Sequence, residues 1–272
     1  MTPILPGATL GLLGSGQLGR MFAIAARRLG YRVEVFSPDS DTPAGQVADV
    51  EWVHSYDDAA AIDRFAQAVD VVTLEFENID TECVRRLEQH VPVRPGALTL
   101  HTAQHRSREK NALRKLGLTT APFHVVRSAE ELAKHLAELG EGILKTAAFG
   151  YDGKGQQRLT SANDAALVWA EFATDEAVLE GIVDFACEFS VIGVRGVDGE
   201  FRAYDPILNT HRHHILDVSS SPALPVSREV ADRAIAMTET VMVGLETIGV
   251  LCVEFFLTRS GEAVINEIAP RP

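Results

Sequence analysis

The chain has 272 residues, is 46% hydrophobic and carries a formal charge of −13. That length suits two or three small domains, each with its own core, and the acidic balance argues against a nucleic-acid surface or an anionic-membrane binder. A phosphate site here must be local, made by a few lysines, arginines and metal.

The first hundred residues alternate strand and helix. Thr9–Leu13 and Val33–Phe36 read as buried strands around a helix, Leu18–Leu29, with Leu18, Met21, Phe22, Ala25 and Leu29 on one face. Asp57–Ala68 repeats the helical signal, Val69–Leu74 is a third strand, and Asp80 is a plausible N-cap for a helix over Thr81–Glu88. This pattern predicts a doubly wound α/β unit with a parallel sheet. A helix over Ser107–Leu116 ends at Gly117, and Pro122 marks a change of character. From Phe123 to Leu179 the pattern predicts a small α+β unit, in which Ser128 and Glu131 form a capping box for a helix reaching Leu139. From Cys187 onward strands dominate, with Val197–Glu200 as a hairpin turn, Ser219–Pro222 as a loop and a long helix from Ser227 to near Gly249. Cys83, Cys187 and Cys252 show no CxxC spacing and read as reduced core thiols. No secretory signal and no membrane-length apolar run is visible, which makes the cytoplasm the expected location.

Three segments carry chemistry. Lys145-Thr-Ala-Ala-Phe-Gly150-Tyr151-Asp152-Gly153-Lys154-Gly155-Gln156 is a glycine-rich loop with one lysine inside it and another at the preceding strand end. Its glycines let backbone N–H groups approach phosphate oxygens, although a turn on Asp152-Gly153 is the simpler reading of the loop alone. It is not a Walker A loop. Val253–Leu257 and Val264–Ile268 read as two buried strands, each carrying one carboxylate, Glu254 and Glu267, in apolar surroundings. Buried carboxylates need a counter-charge, which either a divalent cation or an ion pair with Arg259 or Arg271 would supply. Gly14-x-Gly16-x-x-Gly19 fits the dinucleotide fingerprint, or equally a single phosphate at a helix N-terminus; Phe36-Ser37-Pro38 stands where a nicotinamide enzyme wants an acidic residue. Glu75 and Glu77 follow a buried strand, where ligands gather in an open α/β sheet. His211–His214 lack further ligands at zinc spacing.

The whole chain resembles the ATP-grasp superfamily, and in detail the N5-carboxyaminoimidazole ribonucleotide synthetases, ATP-dependent carboxylases of purine synthesis. The specific matches are Gly14-Ser15-Gly16-Gln17-Leu18-Gly19-Arg20-Met21, Glu75-Phe76-Glu77-Asn78, the loop Gly150–Gln156, Glu180-Gly181-Ile182-Val183 and Asn266-Glu267-Ile268-Ala269-Pro270-Arg271. The resemblance implies an ATP-grasp fold: a substrate-binding unit over residues 1–104, a linker helix and lid over 105–183, and an antiparallel-sheet core over 184–272. In the family the last motif continues into a further small domain that grips the substrate phosphate, so the resemblance implies that the chain stops short of it.

By the same resemblance, ATP is held by Arg106, Lys145, the lid residues from Gly150 to Gln156, Glu180, Gly181, Ile182, Val183, Glu188, His211, Asn266 and Glu267. Magnesium, as two ions, sits on Glu254 and Glu267. Aminoimidazole ribonucleotide meets Gly16, Gln17, Leu18, Glu75, Glu77, Tyr151 and Arg271. Catalysis falls to Arg271, Lys154 and Asp152: bicarbonate is phosphorylated to carboxyphosphate, whose carboxyl passes to the exocyclic amine while the closed lid excludes water. A homodimer, and a mutase that takes the product, are the implied partners. Competing readings are the formate-dependent phosphoribosylglycinamide formyltransferase, a nicotinamide-dependent oxidoreductase, and a non-catalytic nucleotide sensor that would lack one of the metal carboxylates.

Overall fold

A computed structural model describes residues 3–148, 155–212 and 215–272. The expected contacts of Gly150, Tyr151, Asp152, Gly153 and Lys154 therefore lie outside the described residues, as do His213 and His214.

Strands β1 (Thr9–Leu13), β2 (Arg32–Ser37), β3 (Val50–Val53) and β4 (Val71–Leu74) form a parallel sheet in the order β3-β2-β1-β4. Helices α1 (Gln17–Arg28), α2 (Ala59–Ala68) and α3 (Thr81–Glu88) wind around it. Successive side chains of a strand point to opposite faces, and here they enter two separate cores: Leu12 and Val35 join Ala23 and Ala26, whereas Leu13 and Phe36 join Phe65 and Leu87. Asp58 and Asp80 cap α2 and α3 by accepting from Ala61 N and Glu82 N. The expected apolar face of α1 is corrected. Gly19, Ala23 and Ala26 are buried, while Leu18, Met21 and Leu29 are exposed. A Cβ on Gly19 would come within 2.7 Å of Leu12, so α1 lies on the sheet through its smallest residues. Two short elements, β3 and α4 (Ala97–Ala103), were not expected.

Helix α5 (Arg106–Lys115) leads to a second sheet of β5 (Phe123–Val126), β6 (Gly142–Thr146), β7 (Gln156–Leu159) and β8 (Ala177–Gly181), antiparallel in the order β5-β8-β6-β7. Helices α6 (Ala129–Leu139) and α7 (Ala165–Phe172) cover it, burying Leu132, Leu136 and Val168 against Leu144 and Leu179. Ser128 accepts from Glu131 N, while the Glu131 carboxylate turns to Arg127 N, so only half of the expected capping box forms.

The third sheet contains β9 (Phe185–Arg195), β10 (Phe201–Ala203), β11 (Ile207–Arg212), β12 (Ile215–Ser220), β13 (Gly249–Thr258) and β14 (Ala263–Arg271) in the order β12-β11-β9-β13-β14, with β10 on β9. The segment read as a loop at Ser219 is the end of β12. Helix α8 (Arg228–Gly244), capped by Ser227, packs Ala234, Val241 and Met242 onto the core of this sheet and ends before Gly249. Its stop matches Glu246 at φ 52° and Gly249 at φ 108°, backbone that cannot continue a right-handed helix. The three cysteines are free; Cys83 is buried and Cys187 and Cys252 are half-buried. Among the described residues no helix is long and apolar enough to cross a membrane.

Candidate active site

Strands β13 and β14 pair so that Glu254 stands directly opposite Glu267. Cross-strand partners bring their side chains close, and like charges there repel. Burial and then Glu267 push the Glu254 carboxyl up to about 8, with Arg271 only partly opposing them and Glu188 and Glu77 adding to the push. Neither arginine offered as an ion-pair partner does that job: Arg259 reaches Asp184 at 2.9 Å, and Arg271 reaches Glu77 at 3.4 Å. Among the described residues, the ion pair made by Glu267 is with Arg106, at 3.5 Å. Crowded, under-compensated carboxylate oxygens are the donor set that a hard divalent cation prefers, so these residues fit magnesium.

Helix α5 joins this pair to the second sheet. Arg106, Glu109 and Lys110 are spaced three and four residues apart and share one helix face. The Glu109 carboxylate accepts from Ile268 N at 2.5 Å, and Lys110 donates to the Asn266 carbonyl at 3.1 Å, which fixes β14 on both sides of Glu267. The same Lys110 lies 3.3 Å from one oxygen of Glu180, and Lys145 donates to the other at 3.0 Å. Burial alone would raise the Glu180 carboxyl, but Lys145, Lys110 and Arg106 outweigh it and hold the group below the usual carboxylate value. Glu109, fully enclosed, shows the opposite balance and is pushed up to about 8 by burial. Sequence reading missed Glu109 and Lys110, because charged residues on a helix ordinarily mark a solvated face. Their spacing on a helix between two predicted domains was the available signal.

The rest of the expected ATP site is distributed around this seam. Lys145 pairs in register with Gln156 across β6 and β7, and Gly155, at φ 68°, passes so close to Thr146 that a Cβ would meet its hydroxyl at 2.6 Å. Gly181, Ile182 and Val183 are half-buried where β8 passes toward β9, with Gly181 N donating to Pro122 O at 2.8 Å. Glu188 on β9 lies 3.0 Å from His211 on β11, off the line of a hydrogen bond. The start of α5 is tied to the base of the lid loop, since Arg106 N donates to Ala147 O at 2.8 Å.

The glycine loop before α1 departs from the phosphate reading. Buried Glu75 places its carboxylate against this loop and accepts from Gly16 N at 2.6 Å. A Cβ at Gly14 or Gly16 would strike Glu75 at 2.8 or 2.7 Å, and at Gly19 would come within 3.1 Å of its oxygen. The glycines thus make room for a protein carboxylate at the helix N-terminus, where a dinucleotide pyrophosphate would otherwise sit. This removes the basis for the nicotinamide reading. Gln17 and Leu18 are exposed at the same helix start, and Glu77, half-exposed, is held by Arg271 from β14.

Known proteins resemble this chain in sequence and in fold. The ribonucleotide synthetase preATP-grasp domain matches residues 7–104, and the ATP-grasp domain matches residues 111–272. The chain is 39% identical over 273 residues to the N5-carboxyaminoimidazole ribonucleotide synthase of Bacillus subtilis, covering 99% of this chain and 71% of that one. Identity to the synthase of Brucella melitensis is 40%, covering 99% and 75%. A crystal structure of an N5-carboxyaminoimidazole ribonucleotide synthetase with ADP superposes with a TM-score of 0.93 at 44% identity, covering 99% of this chain and 71% of that one. The Aspergillus clavatus enzyme with ADP and 5-aminoimidazole ribonucleotide gives 0.86 at 27%, covering 96% and 69%. With two domain matches in family order and the carboxylate pair, lysines and linking helix in place, the chain belongs to the N5-carboxyaminoimidazole ribonucleotide synthases of the ATP-grasp superfamily.

Proposed function

We propose a division of labour among the residues described above for the family's reaction, in which this ATP-dependent carbon–nitrogen ligase carboxylates 5-aminoimidazole ribonucleotide to N5-carboxyaminoimidazole ribonucleotide. The observation that carries it is the meeting of Lys145, Glu180, Lys110, Arg106 and the Glu254–Glu267 pair on one seam between two sheets. Lys145 and Arg106 hold ATP phosphates, with Lys154 added from the lid, whose Asp152 meets the substrate, and residues 180–183 lie along the adenine while Glu188 takes the ribose. Asn266 and His211 complete the nucleotide's surroundings. Magnesium on Glu254 and Glu267 would supply charge neutralisation on the transferring phosphoryl group.

Bicarbonate oxygen attacks the γ-phosphorus, the bond to ADP breaks, and carboxyphosphate forms. The amine of the ribonucleotide then attacks the carboxyl carbon, phosphate leaves and the amine loses a proton. Arg271 orients the bicarbonate-derived group, and its contact with Glu77 sets that arginine beside the residues proposed for the ribonucleotide: Gly16, Gln17, Leu18, Glu75, Glu77 and Tyr151. The working protein is a cytoplasmic homodimer that passes its labile product to a mutase.

Phosphate release from ATP, with bicarbonate and aminoimidazole ribonucleotide supplied separately and together, tests this reading. Both substrates together with magnesium should give the full rate. Stimulation by formate with glycinamide ribonucleotide instead would move the activity to the formyltransferase.

A further inference from the structure

We propose that His124, His135 and Glu138 form a second metal site, for a transition ion of the zinc type, at the edge of the second sheet and separate from the ATP seam. His124 lies on β5, the edge strand, and His135 and Glu138 lie three residues apart on one face of α6. Their ligand atoms all fall within 4.8 Å of one another. Glu138 Oε2 is 2.9 Å from His135 Nδ1 and 4.0 Å from His124 Nε2. Ligand bonds of about 2.0–2.2 Å in tetrahedral geometry put donors roughly 3.3–3.6 Å apart, so the observed separations bracket the required one. To close the set the two rings leave their stack, so that both in-plane lone pairs converge on one ion.

The two imidazoles stack with centroids 4.0 Å apart and planes at 11°. Burial, and then the neighbouring His135, hold the His124 imidazole below its ordinary value, which favours a neutral ring with a lone pair for a ligand bond. Two imidazole nitrogens and one carboxylate suit zinc, cobalt or nickel and not magnesium, and partial exposure leaves room for a water as the remaining ligand. The ion would cross-link α6 to β5. Those elements flank the passage from β8 to β9, since β5 follows Pro122, whose carbonyl accepts from Gly181 N, and Leu139 lies against Gly181.

The full chain, stripped with chelator and held in excess magnesium to occupy Glu254 and Glu267, is titrated with cobalt(II) by visible absorption and with zinc by calorimetry. One ion per chain is expected to bind despite the magnesium. Either His124→Ala or His135→Ala should weaken it by about a hundredfold, and Glu138→Gln by about tenfold. His211→Ala, in the third sheet, should leave the affinity unchanged. Metal-free melting curves of the variants guard against misfolding, and Glu138→Gln, at a half-exposed position, provides an independent arm. Absence of binding to the unsubstituted chain overturns the proposal. So does binding insensitive to His124→Ala and His135→Ala, or binding lost in His211→Ala.

Discussion

The glycine loop at α1 and the seam at β13–β14 both gather carboxylates, yet they settle them in opposite ways. Glu75 is buried but satisfied: a helix N-terminus presents its N–H groups, and Gly16 donates at 2.6 Å. Glu254 is half-buried and faces another carboxylate, and its carboxyl is driven up to about 8. Between these extremes stands Glu180, buried with Lys110 and Lys145 on its two oxygens. A carboxylate completed by protein donors is fixed in place by the fold itself, whereas one left short of positive charge marks a place that a cation completes.

The largest way to break this comparison is to strip a completed carboxylate. Lys110→Met should cost about 3 kcal/mol in urea unfolding, because Glu180 would keep one cation where it now has two. A loss below about 1 kcal/mol would mean that Lys145 alone suffices. Next comes the unfinished pair. Glu267→Gln should slow magnesium-ATP turnover by about a hundredfold or more, since metal neutralisation of phosphoryl charge is worth several kcal/mol. It should leave the metal-free melting temperature equal or higher, as it removes a repelling neighbour of Glu254. Near-normal turnover with lowered stability would make the pair structural instead. Lys145→Ala, through loss of one charge-assisted hydrogen bond, should weaken ATP binding roughly tenfold to a hundredfold; calorimetry with ATP reads it directly.

A further test is a pH slope. Glu254 and Glu109 stand near 8 in the folded chain, against about 4.3 for an unfolded glutamate. Between those values the folded state keeps protons that the unfolded state has shed, so stability present at low pH is lost as pH rises through about 8. Metal-free melting temperatures should therefore fall between pH 6 and pH 9, and Glu109→Gln should flatten the decline. A flat profile in the unsubstituted chain would show that both groups are compensated.

Legibility in the sequence followed the same division. Glu254 and Glu267 stood out because charge inside β-patterned apolar runs is anomalous wherever the strands pair. Lys145 stood out by its place before a glycine-rich loop. Lys110 and Glu109 did not, since a helix of mean character Arg-Ser-Arg-Glu-Lys-Asn looks solvated until a sheet is laid on each side. For α1 the apolar periodicity was real and pointed the wrong way: Leu18, Met21 and Leu29 line a stripe, but close approach to Leu12 selects Gly19 and Ala23 instead. The glycine fingerprint showed the need for space before α1 without showing that Glu75 takes it. Fold class depended on alternation over many residues and tolerated such errors, whereas a site residue depends on its one partner.

Helix α5 has a consequence for how the molecule can be taken apart. One face of it supplies Lys110 to Glu180 of the second sheet and to the Asn266 carbonyl of the third, while Glu109 accepts from Ile268 and Leu113 enters the third sheet's core. Cutting between the sheets would strand a charge in whichever half lost its partner. The two sheets should accordingly melt in a single transition, and amide exchange in β8 and β14 should report the same opening free energy.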